Sequence, residues 1–117
     1  MLKVYCYNRC STCRKALKWL DDHNIPYTPV DISTSHPDVP TLREYIHFSG
    51  LPIKRFFNTS GNAYRSLGLA EKLGGMPDEE QLGLLASDGM LVKRPLAVGE
   101  NFVLVGFKEE EWAKRLL

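Results

Sequence analysis

Leu2-Lys3-Val4-Tyr5-Cys6-Tyr7-Asn8-Arg9-Cys10-Ser11-Thr12-Cys13-Arg14-Lys15-Ala16-Leu17-Lys18-Trp19-Leu20 is the stretch on which the fold turns. Residues 2–7 are apolar or aromatic apart from Lys3 and read as a β-strand. Asn8-Arg9 makes a two-residue turn. From Ser11 a helical spacing carries Cys13, Ala16, Leu17 and Leu20 on one face. Cys10 therefore falls just outside the first helical turn. Unpaired backbone N–H groups and the positive end of the helix dipole favour an anionic sulfur there. Arg9, Arg14 and Lys15 add positive charge nearby. Cys13 lies one turn further on and faces inward, placed to resolve a mixed disulfide formed at Cys10.

A Cys-x-x-Cys pair at a strand-to-helix junction near the N-terminus is a thioredoxin-like redox arrangement. Working outward, Pro26-Tyr27-Thr28-Pro29-Val30-Asp31-Ile32 reads as a second strand. The helix is expected to stop around Asn24, since the residue before Pro26 is biased away from helix. The result is a βαβ unit with parallel strands and a right-handed crossover. Residues 33–92 read as mostly helical. Thr41-Leu42-Arg43-Glu44 and Asp78-Glu79-Glu80-Gln81 each fit a capping box that opens a helix. Between them lie Ile53-Lys54-Arg55-Phe56-Phe57, a turn at Asn58-Thr59-Ser60-Gly61 and a short helix ending near Leu67-Gly68. Pro95-Leu96-Ala97-Val98 and Phe102-Val103-Leu104-Val105 are β-like runs joined by a hairpin turn. A last helix is expected from about Lys108 to Leu116. The fold class is thus α/β: a thioredoxin-like core, β-α-β … β-β-α, in about 1–32 and 93–117, with a helical insert at about 33–92.

A chain of 117 residues can bury a core as one domain, 1–117, without metal or disulfide staples. Its 44% hydrophobic and 25% charged residues are globular values, so no disordered tail is expected. A net charge of +1 argues against nucleic acid as a direct partner. No apolar run approaches the roughly 20 residues of a membrane span, and no signal peptide is read. Three cysteines without a secretion signal point to a reducing cytoplasm. There a cysteine pair is more often catalytic, redox-sensing or metal-binding than structural.

The bland readings are specific too. Cys6-x₃-Cys10-x₂-Cys13 has the spacing of an iron–sulfur signature. However, Cys6 falls inside the strand and no fourth ligand is near in sequence. No metal is expected, and Cys6 is read as a core residue. Ser11 is also an ordinary N-cap residue, and Asn8, Arg9 and Thr12 belong to the loop that shapes the thiol's surroundings. His23, His36 and His47 are scattered and have no evident partner. Phe56, Phe57 and Trp112 look like core packing.

Several segments together resemble the bacterial ArsC/Spx family of thioredoxin-fold proteins, over nearly the whole chain. They are Tyr7-Asn8-Arg9-Cys10-Ser11-Thr12-Cys13-Arg14-Lys15-Ala16, Tyr64-Arg65-Ser66-Leu67-Gly68-Leu69, Met90-Leu91-Val92-Lys93-Arg94-Pro95-Leu96 and Val105-Gly106-Phe107-Lys108-Glu109. The resemblance implies that Cys10 is the reactive cysteine. It also implies that Arg94 lies beside it, stabilising negative charge, before a cis Pro95 that shapes the substrate groove. Glutaredoxin-coupled arsenate reductases of the family hold the oxyanion with three arginines. One of these matches Arg94, and the other two fall at Asn58 and near Gly106. Spx-type members are redox-sensing regulators that bind the RNA polymerase α subunit. The glycine associated with that contact aligns with Pro52.

The function expected is a thiol–disulfide oxidoreductase, arsenate reductase-like, with Cys10 as nucleophile and Cys13 closing the disulfide. Its substrate would be a small-molecule or protein disulfide. No bound cofactor is implied; glutathione or a thioredoxin/glutaredoxin-type reductant would be co-substrate. The alternative is an Spx-type switch, in which the same disulfide alters a surface that binds a protein partner.

Overall fold

The computed structural model describes residues 2–117; Met1, where the expected core begins, lies outside the described residues. Its sheet has four strands: β1 (Leu2–Cys6), β2 (Tyr27–Asp31), β3 (Leu96–Val98) and β4 (Val103–Val105). Their order is β2-β1-β3-β4. β1 runs parallel to β2, pairing Leu2 with Tyr27 and Cys6 with Asp31. It runs antiparallel to β3, which forms an antiparallel hairpin with β4. The helices are α1 (Ser11–Asp22), α2 (Val39–Ser49), α3 (Asn62–Ser66), α4 (Leu69–Lys72), α5 (Asp78–Ser87) and α6 (Glu109–Leu116). Three short 3-10 turns, at Ile53–Phe56, Leu73–Gly75 and Gly89–Leu91, lie in the segment between β2 and β3. The expected β-α-β … β-β-α order is the observed one.

Alternation along β1 sorts the core into two layers, because successive strand side chains point to opposite faces. Leu2, Val4 and Cys6 pack with Cys13, Ala16, Trp19 and Leu20 of α1 and Trp112 of α6. Tyr5, on the other face, packs with Leu96, Val103 and the insert's Leu42, Phe56, Phe57 and Leu85. Phe56, Phe57 and Trp112 are each at most 2% exposed, so they are core residues as expected. Burying each such aromatic contributes about 1.5–3 kcal/mol as an upper figure. Their polar atoms are also met: Trp112 Nε1 donates to the Gly106 carbonyl at 3.0 Å, and the Tyr5 and Tyr45 hydroxyls hydrogen-bond at 3.0 Å.

Three helix caps differ from the sequence reading. α2 begins at Val39, before the expected box at Thr41, because Asp38 is its cap and accepts the Thr41 N–H at 3.0 Å. Pro40 then sits in the first turn, where its missing N–H costs nothing. α5 is preceded by Pro77 as cap, and Gln81 does not reach back to close a box. Its Nε2 instead donates to the Met76 carbonyl at 2.9 Å. Ser11 is the first residue of α1 and not its cap; Cys10 holds that position. α1 itself ends where expected, with Asn24 just beyond it at a positive φ of 56°.

The insert is stitched to the sheet beside β3. Phe57 bridges Val92, the Lys93 N–H donates to the Phe56 carbonyl at 2.7 Å, and the Asn58 N–H to the Leu91 carbonyl at 2.8 Å. Gly89 allows the segment to close up, since a Cβ there would stand 1.9 Å from the Ile32 carbonyl oxygen. Among the described residues, no helix is long and apolar enough to cross a membrane.

Candidate functional site

The loop after β1 fixes Cys10 through its own backbone. The Cys10 N–H donates to the Tyr7 carbonyl at 3.0 Å, and its carbonyl accepts the Arg14 N–H at 3.2 Å. With φ −91° and ψ 115° it is extended, so the helix starts immediately after it and its side chain makes no capping bond. The sulfur is left partly exposed above the first turn.

Cys13 is a different kind of thiol. It is 1% exposed and accepts the Tyr7 N–H at 3.4 Å. It shares a buried cluster with Cys6, and the partly buried Cys10 packs against that cluster. The Cys6 contact and then burial push the Cys13 pKa far up, against smaller lowering by the Tyr7 N–H and Cys10. At neutral pH Cys13 is therefore a protonated, inaccessible thiol. Of the pair, only Cys10 is placed to meet a substrate first.

Cys10 opens onto a groove of about 610 Å³. Arg9, Ser11, Thr12 and Arg94 line it too, so five of the eight site residues expected from sequence converge there. The groove carries six cations, Arg9, Lys54, Arg55, Lys93, Arg94 and Lys108, and none of its lining residues is acidic. Among the described residues, the ion pairs Lys18–Asp22 and Arg43–Glu79 lie elsewhere. Such a lining attracts anions and concentrates them at the thiol. Asn58 and Gly106, the positions matching the two further arginines, both lie on the groove without supplying charge. Gly106 has φ +74°, a backbone that disfavours an arginine there.

Arg94 is the most constrained of the six. Its guanidinium carbon stands 5.3 Å from the centroid of the Tyr7 ring, and Nη1 donates to the Met90 and Val92 carbonyls at 3.4 Å each. Its Nε is buried with no hydrogen-bond partner among the described residues. The Arg94–Pro95 peptide is cis. Pro95 is buried and is not among the groove-lining residues; it follows Arg94, which is.

Asn8 goes elsewhere. With Cys6, Tyr7, Cys13 and Arg14 it lines a second cleft of about 350 Å³, largely apolar, between α1 and β2. The two thiols of the Cys-x-x-Cys pair thus face separate cavities. Among the described residues, no three His, Cys, Asp or Glu side chains form a group that could hold a metal ion.

Lys54, Arg55, Lys93 and Lys108 were not identified from sequence as site residues. A signal existed in the two dibasic pairs, Lys54-Arg55 and Lys93-Arg94, which flank Phe56-Phe57 and follow Val92. The Phe57–Val92 bridge and the hydrogen bonds beside it, Lys93 N–H to the Phe56 carbonyl and Asn58 N–H to the Leu91 carbonyl, bring the two pairs to one groove.

The chain belongs to the ArsC family, whose model matches residues 5–115. It is 50% identical over 111 residues to the uncharacterised protein YusI of Bacillus subtilis, covering 95% of this chain and 94% of that one. It is 24% identical to the global transcriptional regulator Spx of Staphylococcus saprophyticus, over 95% of this chain and 83% of Spx. Among solved structures it is similar to an ArsC family related protein from Bacteroides fragilis, with TM-score 0.95 and 55% identity over 97% and 95% of the two chains. A possible arsenate reductase from Streptococcus mutans matches with TM-score 0.88 and 45% identity, over 97% and 98%. The fold is the thioredoxin-like α/β fold of this family.

Proposed function

We propose that the protein is a thiol–disulfide oxidoreductase, arsenate reductase-like in architecture, with Cys10 as nucleophile and Cys13 as resolving thiol. The observation that carries this is that Cys10 alone of the three cysteines opens onto the cationic groove, with Cys13 buried in the cluster against which Cys10 packs. Cys10 thiolate attacks one sulfur of a disulfide substrate, forming a mixed disulfide and releasing the other half as thiolate. Cys13 then attacks the Cys10 sulfur, losing its proton as it does so. This expels the second half of the substrate and leaves the Cys10–Cys13 disulfide. Glutathione or a thioredoxin/glutaredoxin-type dithiol resets the pair. Arg94 stabilises negative charge developing beside Cys10, with its fork held by Tyr7 and two carbonyls. Arsenate is a weaker substrate for this groove than an anionic disulfide. Of the three family arginine positions only Arg94 supplies a bidentate fork, since the other two are Asn58 and Gly106.

The similarity to Spx supports a second reading, a redox-sensing regulator of a protein partner such as the RNA polymerase α subunit. Pro52, at the position of the polymerase-contact glycine, is exposed and caps the 3-10 turn at Ile53–Phe56 without an N–H to offer.

The deciding experiment is turnover of a small anionic disulfide, and separately of arsenate, with a recycling dithiol. Wild type, Cys10→Ser and Cys13→Ser are compared beside a pull-down of polymerase α. Multiple turnovers lost in Cys10→Ser support the enzyme. Retention of polymerase α by only one redox state, without turnover, would establish the regulator instead.

A further inference from the structure

The oxidoreductase reading uses two of three cysteines and leaves Cys6 aside. The fold does not keep Cys6 apart. It ends β1 on the sheet face that packs against α1, so Cys6 and Cys13 are buried in one cluster, 8% and 1% exposed. Both line the apolar cleft beside Pro29 and Val30, whereas Cys10 lines the cationic groove. Cys10, partly buried, packs against that same cluster, and of the groups around Cys13 it is Cys6 that most strongly raises its ionisation. Cys13 therefore stands between two sulfurs, one facing substrate and one facing the interior.

We propose that Cys6 is a third redox residue, which takes over the bond to Cys13 and frees Cys10. The proposal rests on the Cys10–Cys13 disulfide of the preceding section. The Cys6 sulfur attacks Cys13 Sγ, the Cys6–Cys13 bond forms, and the Cys10–Cys13 bond breaks. Cys10 leaves as thiolate, and the proton from Cys6 passes to solvent through the cleft. No oxidant is consumed: one disulfide is exchanged for another, and the two-electron oxidation entered with the substrate disulfide. Direction follows from the surroundings. A disulfide is uncharged and suits the apolar interior, while the released thiolate returns to the groove with six cations. The oxidised protein then keeps a free Cys10 able to engage a second substrate.

Trypsin makes the test clean, because it cuts after Lys3, Arg9 and Arg14 and so separates Val4–Arg9 from Cys10–Arg14. The full-length protein is treated with one equivalent of 4,4′-dithiodipyridine, acid-quenched, alkylated and mapped without reduction. The expected product is Val4–Arg9 joined to Cys10–Arg14 through Cys13, with Cys10 alkylated. A loop within Cys10–Arg14, with Cys6 alkylated, overturns the relay but leaves the two-cysteine mechanism standing. Absence of any bond to Cys13 sinks both. A second readout uses Cys6→Ala: after the same oxidation its Cys10 should stay in the disulfide and escape alkylation, whereas an exchange equilibrium favouring Cys6–Cys13 roughly tenfold leaves about nine-tenths of wild-type Cys10 free to be alkylated. Equal alkylation in the two proteins argues against the relay.

Discussion

The Arg94 guanidinium lies over the Tyr7 ring, 5.3 Å from its centroid, and so couples the loop that presents Cys10 to the segment entering β3. A flat, delocalised cation suits that position better than an ammonium. Arg94→Lys keeps the charge and loses the stack. With about 0.5–1 kcal/mol at stake for such a contact near the surface, it should slow the reaction of Cys10 with an anionic disulfide by about two- to fivefold. Stopped-flow rates check this; an unchanged rate removes Arg94 from the positioning of the site.

The six groove cations act as a field, so neutralising the ones outside the thiol loop should matter by charge and not by identity. Lys54→Gln, Arg55→Gln and Lys93→Gln should each slow attack on an anionic disulfide and leave attack on a neutral one unchanged. Salt should erase the difference, because the screening length is about 10 Å at 0.1 M and shortens further as salt is added. Equal effects on both substrates would mean that the variants perturb structure.

Cys13 predicts an alkaline weakness of the fold. Its native pKa is raised by the Cys6 contact and burial, whereas an unfolded cysteine ionises near about 8.5. The native state therefore holds a proton that the unfolded chain loses, and stability falls as pH rises above that value. The expected slope is about 1.4 kcal/mol per pH unit. Between pH 8.5 and 10, before Tyr45 contributes in the same direction, the urea midpoint of wild type should drop more steeply than that of Cys13→Ala. Parallel curves would mean that Cys13 ionises as freely folded as unfolded.

Asp38 gives the opposite sign at acid pH. Hydrogen bonds from the Thr41 side chain and then its backbone N–H hold the carboxyl below its usual range. Its contribution is complete above the ordinary carboxylate pKa and is lost as pH falls through the lowered one. Asp38→Ala should melt earlier than wild type at pH 7, and Asp38→Asn should recover most of the loss. The gap between wild type and Asp38→Asn should close on acidification, as thermal melts at a series of pH values would show.

Sequence made the core legible because its signals are local. The apolar and aromatic run at Leu2–Tyr7, the Cys10–Cys13 spacing and the hairpin turn at Gly99-Glu100-Asn101 each act within a few residues. Helix starts were less legible, since Asp38 and Thr41 compete for the same cap and only Pro40's place in the first turn decides between them. The groove was half legible. Its loop residues follow from the junction, and Arg94 from family likeness, but Lys54 with Arg55, and Lys108, arrive from two other segments. Lys54 and Arg55 meet Lys93 and Arg94 where Phe57 pairs with Val92, a contact between residues 35 positions apart. Asn8 shows the converse: two residues from Cys10 in sequence, it lies on the other cleft.

That same pairing gives the thiol a history during synthesis. All three cysteines and Arg9 leave the ribosome before Lys93, Arg94 and Lys108. Until Phe57 finds Val92, the nascent chain carries its sulfurs without most of the groove around them. The cationic surroundings of the thiol are thus acquired only when the groove assembles, and a chain short of that point would offer its thiols to any disulfide alike.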